Sequence, residues 1–209
     1  ELFICFQVSF YRNHTQNSFN IYNRVLSQNS IFHITIIMLR NLNAIIFDLD
    51  GTLVNSYLNF NLMRKDLRFP DNLPILEYLD TINDPKLIVE AHKVIHRHEL
   101  EGAKRATLYP GVRNLLEFLF KNNFKIGLQT RNSDSVTNIT LKKFELENLF
   151  HTILTRDNCD PKPMPTGILK MLSEWEISTT HCMFIGDYLF DIETAENAGV
   201  KSGLYLNNK

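Results

Sequence analysis

The stretch AIIFDLDGTLVN, residues 44–55, constrains the fold more than any other part of the chain. An apolar run ends in two aspartates, Asp48 and Asp50, and Gly51 follows at once. A run this short and oily reads as a strand buried in a sheet, and ionised side chains are too costly to keep inside one. The carboxylates therefore belong where the strand stops. In an open parallel sheet that edge is where ligands bind.

The rest of the sequence supports such a sheet. Strand-like runs recur at 125–130 (KIGLQT), 151–154 (HTIL), 181–187 (HCMFIGD) and 202–206 (SGLYL). Helical patterns lie between them. Apolar residues fall at 112, 115, 116, 119 and 120, after Pro110 and Gly111. Ser133 offers an N-cap for 133–146, 165–177 opens on a proline and a threonine, and 189–199 ends on a glycine suited to a C-terminal cap. Short strands alternating with helices predict an α/β fold, a doubly wound and mostly parallel sheet with helices on both faces. Residues 55–109 break this rhythm. They hold two helical candidates, YLNFNLMRKDL and DPKLIVEAHKVIHRHELEGAKR, with proline and aspartate between them and no good strand. We expect a helical lobe inserted at 55–109 into an α/β core made of 38–54 and 110–209.

Residues 1–37 contain no Gly, Pro, Lys or Asp and keep no sustained period. They fit an apolar extension packed on the domain, a poor targeting sequence, or translated flanking sequence. The last is the reading carried forward, with Met38 as the natural start, and no function is assigned to the segment.

Composition narrows the partners. A formal charge of -1 gives no general reason to bind nucleic acid or an anionic membrane, and basic residues are not interleaved with aromatic ones. No apolar stretch reaches the roughly 18 residues of a membrane span. Three scattered cysteines, Cys5, Cys159 and Cys182, read as reduced thiols of a cytoplasmic protein.

The strand reading brings distant polar residues to one rim: Asp48, Asp50, Thr130, Lys162 in DPKPMP, Asp187 and, four residues on, Asp191. Carboxylates crowded together raise one another's pKa values, and a divalent cation relieves the conflict. An all-oxygen ligand set favours Mg²⁺. One carboxylate of the pair could attack phosphorus while the other moves protons for the leaving oxygen and for water. Lys162 and Thr130 would offset phosphoryl charge. Arg131 either reaches the substrate or points to solvent. Asp191 either supports the metal or caps the helix that follows. His92 and His96 share a helical face, but Lys93 stands where a zinc-protease motif needs glutamate, so the cluster reads as lobe surface.

DLDGT at 48–52, Thr130 after a strand, Lys162 before a helix and GDYLFD at 186–191 together resemble the four motifs of the haloacid dehalogenase-like hydrolase superfamily. The phosphoglycolate phosphatase-like branch, with a small helical cap, is most similar. The resemblance spans residues 43–206. It implies a Rossmann-like core of strand order 5-4-1-2-3, an Mg²⁺ cofactor and hydrolysis of a small phosphorylated metabolite through an aspartyl-phosphate. It also implies site roles. Asp48 would be nucleophile and metal ligand. Asp50 would be the acid/base, its backbone carbonyl also on the metal. Thr130 and Lys162 would bind phosphate; Arg131, beside Thr130, is carried with them as a candidate substrate contact on its position alone. Asp187 would ligate the metal and Asp191 would support the metal or the lysine from nearby. Dehalogenases proper lack the second aspartate, so Asp50 points to phosphorus chemistry. A phosphosugar mutase and an inactive or truncated binding protein stay open as alternatives, as does oligomeric state.

Overall fold

The computed structural model describes residues 8–9, 41–71 and 73–206. The extension reading of 1–37 falls outside these residues except for Val8–Ser9. Those two form strand β1, which pairs antiparallel with the last strand.

The core is a sheet of β2 (Ala44–Phe47), β5 (Lys125–Gln129), β6 (Thr152–Leu154), β7 (Cys182–Gly186) and β8 (Lys201–Tyr205). From one edge the order is β8-β7-β2-β5-β6, with β1 outside β8. Every pair among the five main strands is parallel. Numbered along the chain, these five give 5-4-1-2-3, as the resemblance implied. β2 lies in the middle, and all four of its residues are buried. Helices α4 (Val112–Lys121), α5 (Asp134–Lys143), α6 (Thr166–Glu174) and α7 (Leu189–Ala198) connect the strands. Two apolar clusters sandwich the sheet. One holds Ile45, Phe47, Leu116, Leu119 and Ile126, and the other Ile46, Ile168, Met171, Phe184 and Ala195. Alternate β2 side chains thus enter opposite clusters, as the period-2 geometry of a strand requires.

Between β2 and α4 the chain leaves the sheet. A two-residue strand β3 (Val54–Asn55) pairs antiparallel with β4 (Thr107–Leu108) and closes the base of the excursion. Helices α1 (Phe60–Leu67), α2 (Ile75–Leu79) and α3 (Pro85–Arg105) lie between them. They share a separate small cluster of Met63, Ile75, Leu79, Ala91 and Ile95. Sequence periodicity places α1 and α3 but not α2 or the ribbon. A five-residue helix offers one turn of pattern, and a two-residue strand offers none.

Capping follows local chemistry. Asn59 accepts from the Leu62 N–H, and Asp84 from that of Lys86. Gly199, at φ 69°, ends α7 in the left-handed region. Ser133 does not make the capping bond expected of it; the Asp157 carboxylate takes the Asp134 N–H at 2.7 Å. Among the described residues no helix is long and apolar enough to cross a membrane.

Candidate active site

The carboxyl ends of β2, β5 and β7 open into a cleft of about 1050 Å³, roofed by the helical excursion. Asp48 follows the central strand, its N–H donated to the Ile185 carbonyl of β7 at 2.9 Å. Parallel pairing of β2 with β7 puts Phe47 opposite Ile185, so Asp48 and Asp187 emerge on one edge. Oxygens of Asp48, Asp187 and Asp191 all lie within 4.8 Å of one another. Topology thus brings Asp48 to Asp187 and Asp191, 139 and 143 positions further along the chain.

Lys162 completes the cluster. Its Nζ donates to Asp48 Oδ1 at 2.6 Å and to Asp191 Oδ1 at 2.5 Å, and the side chain is almost wholly buried. Burial alone would pull the ammonium down, but Asp191 and Asp48 outweigh it and hold the lysine above its ordinary range. Burial pushes the Asp48 carboxyl well up. Lys162 opposes that shift, and Asp191 and Asp187 add to it. At Asp187, burial and then the Asp191 charge raise the carboxyl to about 6. Asp191 caps the helix that follows and also joins the cluster. Its Oδ2 accepts from the Tyr188 N–H at the start of α7 while Oδ1 holds Lys162.

Two glycines make the packing possible. A Cβ on Gly51 would fall 2.1 Å from Asp187 Oδ2, and one on Gly186 2.1 Å from the Asp191 carboxyl carbon. Gly51 also turns the chain at φ 87°.

Asp50 faces another way. Its side chain lies outside the three-carboxylate group, and Oδ2 accepts from Asn132 Nδ2 at 2.5 Å. Burial raises its pKa, and hydrogen bonds from Ser56 and Asn132 offset part of the rise. Thr130 is buried at the cleft wall and its hydroxyl accepts from the Asn132 N–H at 3.2 Å. Arg131 lines the cleft too, but its guanidinium pairs with Glu77 of α2 at 2.7 Å and lies over the Phe190 ring at 4.6 Å.

Sequence reading missed a second tier. Glu99 of α3 and Arg156 after β6 form a bidentate ion pair, 2.9 Å at Nη2, with side chains only 7% and 11% exposed. Arg156 Nη1 also donates to the Arg131 carbonyl at 2.7 Å, and its N–H to that of Asn132 at 3.2 Å. The path from the helical excursion to Asp50 therefore runs through Glu99, Arg156 and Asn132. No local spacing in the sequence signals these partners. The one available hint is a glutamate that falls in the row of Ala91, Ile95 and Ala103, on the buried face of α3.

The histidines stay apart from this chemistry. His92 is exposed, and buried His98 contacts Asp66 of α1 at 2.9 Å. Among the described residues, Asp48, Asp187 and Asp191 are the group arranged to hold a metal. The donors are all carboxylate oxygens, burial first and neighbouring carboxylates after it raise the pKa values of Asp48 and Asp187, and the glycines leave room. The set suits a hard divalent ion such as Mg²⁺.

Comparisons with known proteins agree with the geometry. A family model described as haloacid dehalogenase-like hydrolase matches residues 57–204. An uncharacterized hydrolase of Saccharomyces cerevisiae is 29% identical over 174 residues, covering 81% of this chain and 80% of that protein. A phosphoglycolate phosphatase of Aquifex aeolicus is 29% identical over 181 residues, covering 79% and 85% respectively. The crystal structure of a subfamily IA hydrolase from Geobacter sulfurreducens superposes with a TM-score of 0.58 at 26% identity, over 77% of this chain and 88% of that one.

Proposed function

Because the chain belongs to the haloacid dehalogenase-like hydrolase family, we propose that it hydrolyses phosphomonoesters of small metabolites through a phosphoenzyme formed on Asp48. The observation that carries this reading is the meeting of Asp48, Asp187, Asp191 and Lys162 at the end of the central strand. In the proposed domain plan, 38–54 and 110–209 form the catalytic core and 55–109 the cap that roofs it.

Asp48 is the nucleophile. Lys162 opposes the effect of burial and favours the ionised form that attacks, and its central position at the cleft floor faces an entering phosphate. An Asp48 oxygen bonds to phosphorus as the ester P–O bond breaks. The departing alkoxide takes a proton from Asp50, whose burial-raised pKa favours the protonated form needed for that step. Asp50, now a carboxylate, removes a proton from water, whose oxygen attacks phosphorus and releases inorganic phosphate and free Asp48. Asn132 and Ser56 hold Asp50 for both transfers. Asp48, Asp187, Asp191 and the Asp50 main-chain carbonyl would hold the divalent cation, which supplies positive charge against the phosphoryl oxygens. Thr130 adds a hydroxyl donor at the same edge. The cap excludes bulk water while the ester reacts.

The test uses p-nitrophenyl phosphate. Turnover is expected with Mg²⁺, is lost in EDTA, and falls by about 10³-fold or more in Asp48→Asn. Turnover that persists without divalent metal, or in the variant, overturns the mechanism. Acid quench during turnover should trap phosphate on Asp48.

A further inference from the structure

Away from its acidic floor, the cleft changes character. Its walls carry Tyr57, Phe60, Met63, Ile75, Tyr188 and Phe190. Tyr57, Phe60 and Tyr188 are 53%, 53% and 60% exposed. Aromatic faces left to water around a binding cleft favour a ligand that covers them.

Much of the positive charge in the cleft already faces carboxylates. Three cations line it, Arg64, Arg131 and Lys162. Lys162 serves Asp48 and Asp191. Arg64 turns to its own lobe, Nε donating to the Leu73 carbonyl at 2.9 Å and Nη1 to Asn61 at 3.3 Å. Arg131 adjoins Thr130 and is the natural anchor for a second acidic group on a substrate, since its planar fork matches a carboxylate or phosphate. Glu77 already takes one nitrogen of that fork, Nη2 at 2.7 Å, and Phe190 covers a face. A substrate anion would have to evict Glu77. The Glu77 side chain is 41% exposed, so the pair masks Arg131 by competing with a substrate anion and not by enclosure.

We infer that Glu77 masks Arg131, so that the chain selects phosphomonoesters with an uncharged, aromatic or apolar alcohol half over those carrying a second anion. The inference rests on the phosphomonoesterase reading and narrows it to a substrate class.

A matched pair of probes tests it. Phosphoglycolate and 2-hydroxyethyl phosphate are alike in length and differ in a carboxylate against an uncharged alcohol; phenyl phosphate reports the aromatic wall. The quantity read is kcat/KM with Mg²⁺ in wild type, Glu77→Gln and Glu77→Gln/Arg131→Gln. Wild type should favour phenyl phosphate, then hydroxyethyl phosphate, then phosphoglycolate. Glu77→Gln should raise the phosphoglycolate-to-hydroxyethyl ratio by about tenfold, as a partly exposed charge-assisted contact becomes available, and the double variant should return it to the starting value. The ratio does not depend on the fraction of folded enzyme, so a weakened fold cannot mimic either result. If the ratio stays within about twofold in Glu77→Gln, the masking idea is wrong while the phosphatase reading stands. A wild type that prefers phosphoglycolate and loses the preference in Arg131→Gln also overturns it. A wild type inert on all three esters removes both.

Discussion

The rim of the sheet and the cap above it hold charge by different means. At the rim, Asp48, Asp187, Asp191 and Lys162 meet because β2 and β7 are parallel neighbours and their ends are in register. Backbone topology sets their spacing. The cap is tied down by side-chain reach. Glu99 meets Arg156, Glu77 meets Arg131, and Lys143 of α5 donates to the carbonyls of Lys104 and Ala106, each at 2.7 Å, where α3 ends. Spacing at the rim is thus a property of the fold, whereas the seating of the cap is a property of a few long side chains. The first should tolerate sequence change in the cap and the second should not.

That difference also decides what could be read from sequence. Asp48, Asp50, Thr130, Lys162, Asp187 and Asp191 could be grouped at one edge because each follows a buried apolar run or precedes a helix, and parallel strands expose such ends together. All five main strands and six of the seven α-helices among the described residues left a pattern. Glu99, Arg156 and Asn132 left none. Glu99 and Arg156 are 57 positions apart, and their meeting depends on how α3 lies over the core; Asn132 and Asp50, 82 apart, meet beyond the ends of neighbouring strands, where side-chain reach leaves no mark in sequence. Arg131 was legible as a cleft residue, but Glu77 as its partner required the position of α2, a helix too short to see. Asp191 could not be assigned to cap or cluster because it serves both.

The sharpest way to break the comparison is at the rim. Lys162→Met leaves Asp48 and Asp191 buried without their cation. Removing one partner of a buried ionic network should cost about 5 kcal/mol at pH 8 in chelator, read from urea unfolding. Turnover should fall with it. If the variant stays as stable as wild type, the lysine is not what holds the carboxylates together.

Arg156→Ala probes the other side. Glu99 then stays buried without its guanidinium, at an expected cost of about 3 kcal/mol at neutral pH. Burial already raises the Glu99 pKa, so protonation can relieve the uncompensated charge and the loss should shrink as pH falls. The variant should also show a higher KM, because α3 loses its contact with the loop that carries Thr130 and Asn132. An unchanged KM with a large stability loss would make the pair a structural tie with no part in seating the cap.

The smallest effect comes from the rim again, and its sign separates metal binding from mere crowding. Asp187 ionises at about 6 in the folded protein against an ordinary 3.8. A carboxyl with a raised folded pKa binds more protons folded than unfolded between those values, so its contribution to stability falls as pH rises through that window. Without metal, wild type should therefore lose ground to Asp187→Asn between about pH 4 and pH 7, by roughly 2 °C in Tm given how exposed the side chain is. Mg²⁺ should reverse the order, because the ion binds the ionised form and its stabilisation grows as protons leave. Thermal melts of both proteins at the two pH values, with EDTA and with Mg²⁺, give four differences. A Mg²⁺ increment equal at both pH values, or equal in the variant, would mean that the carboxylates repel one another at the end of the sheet without holding a cation there.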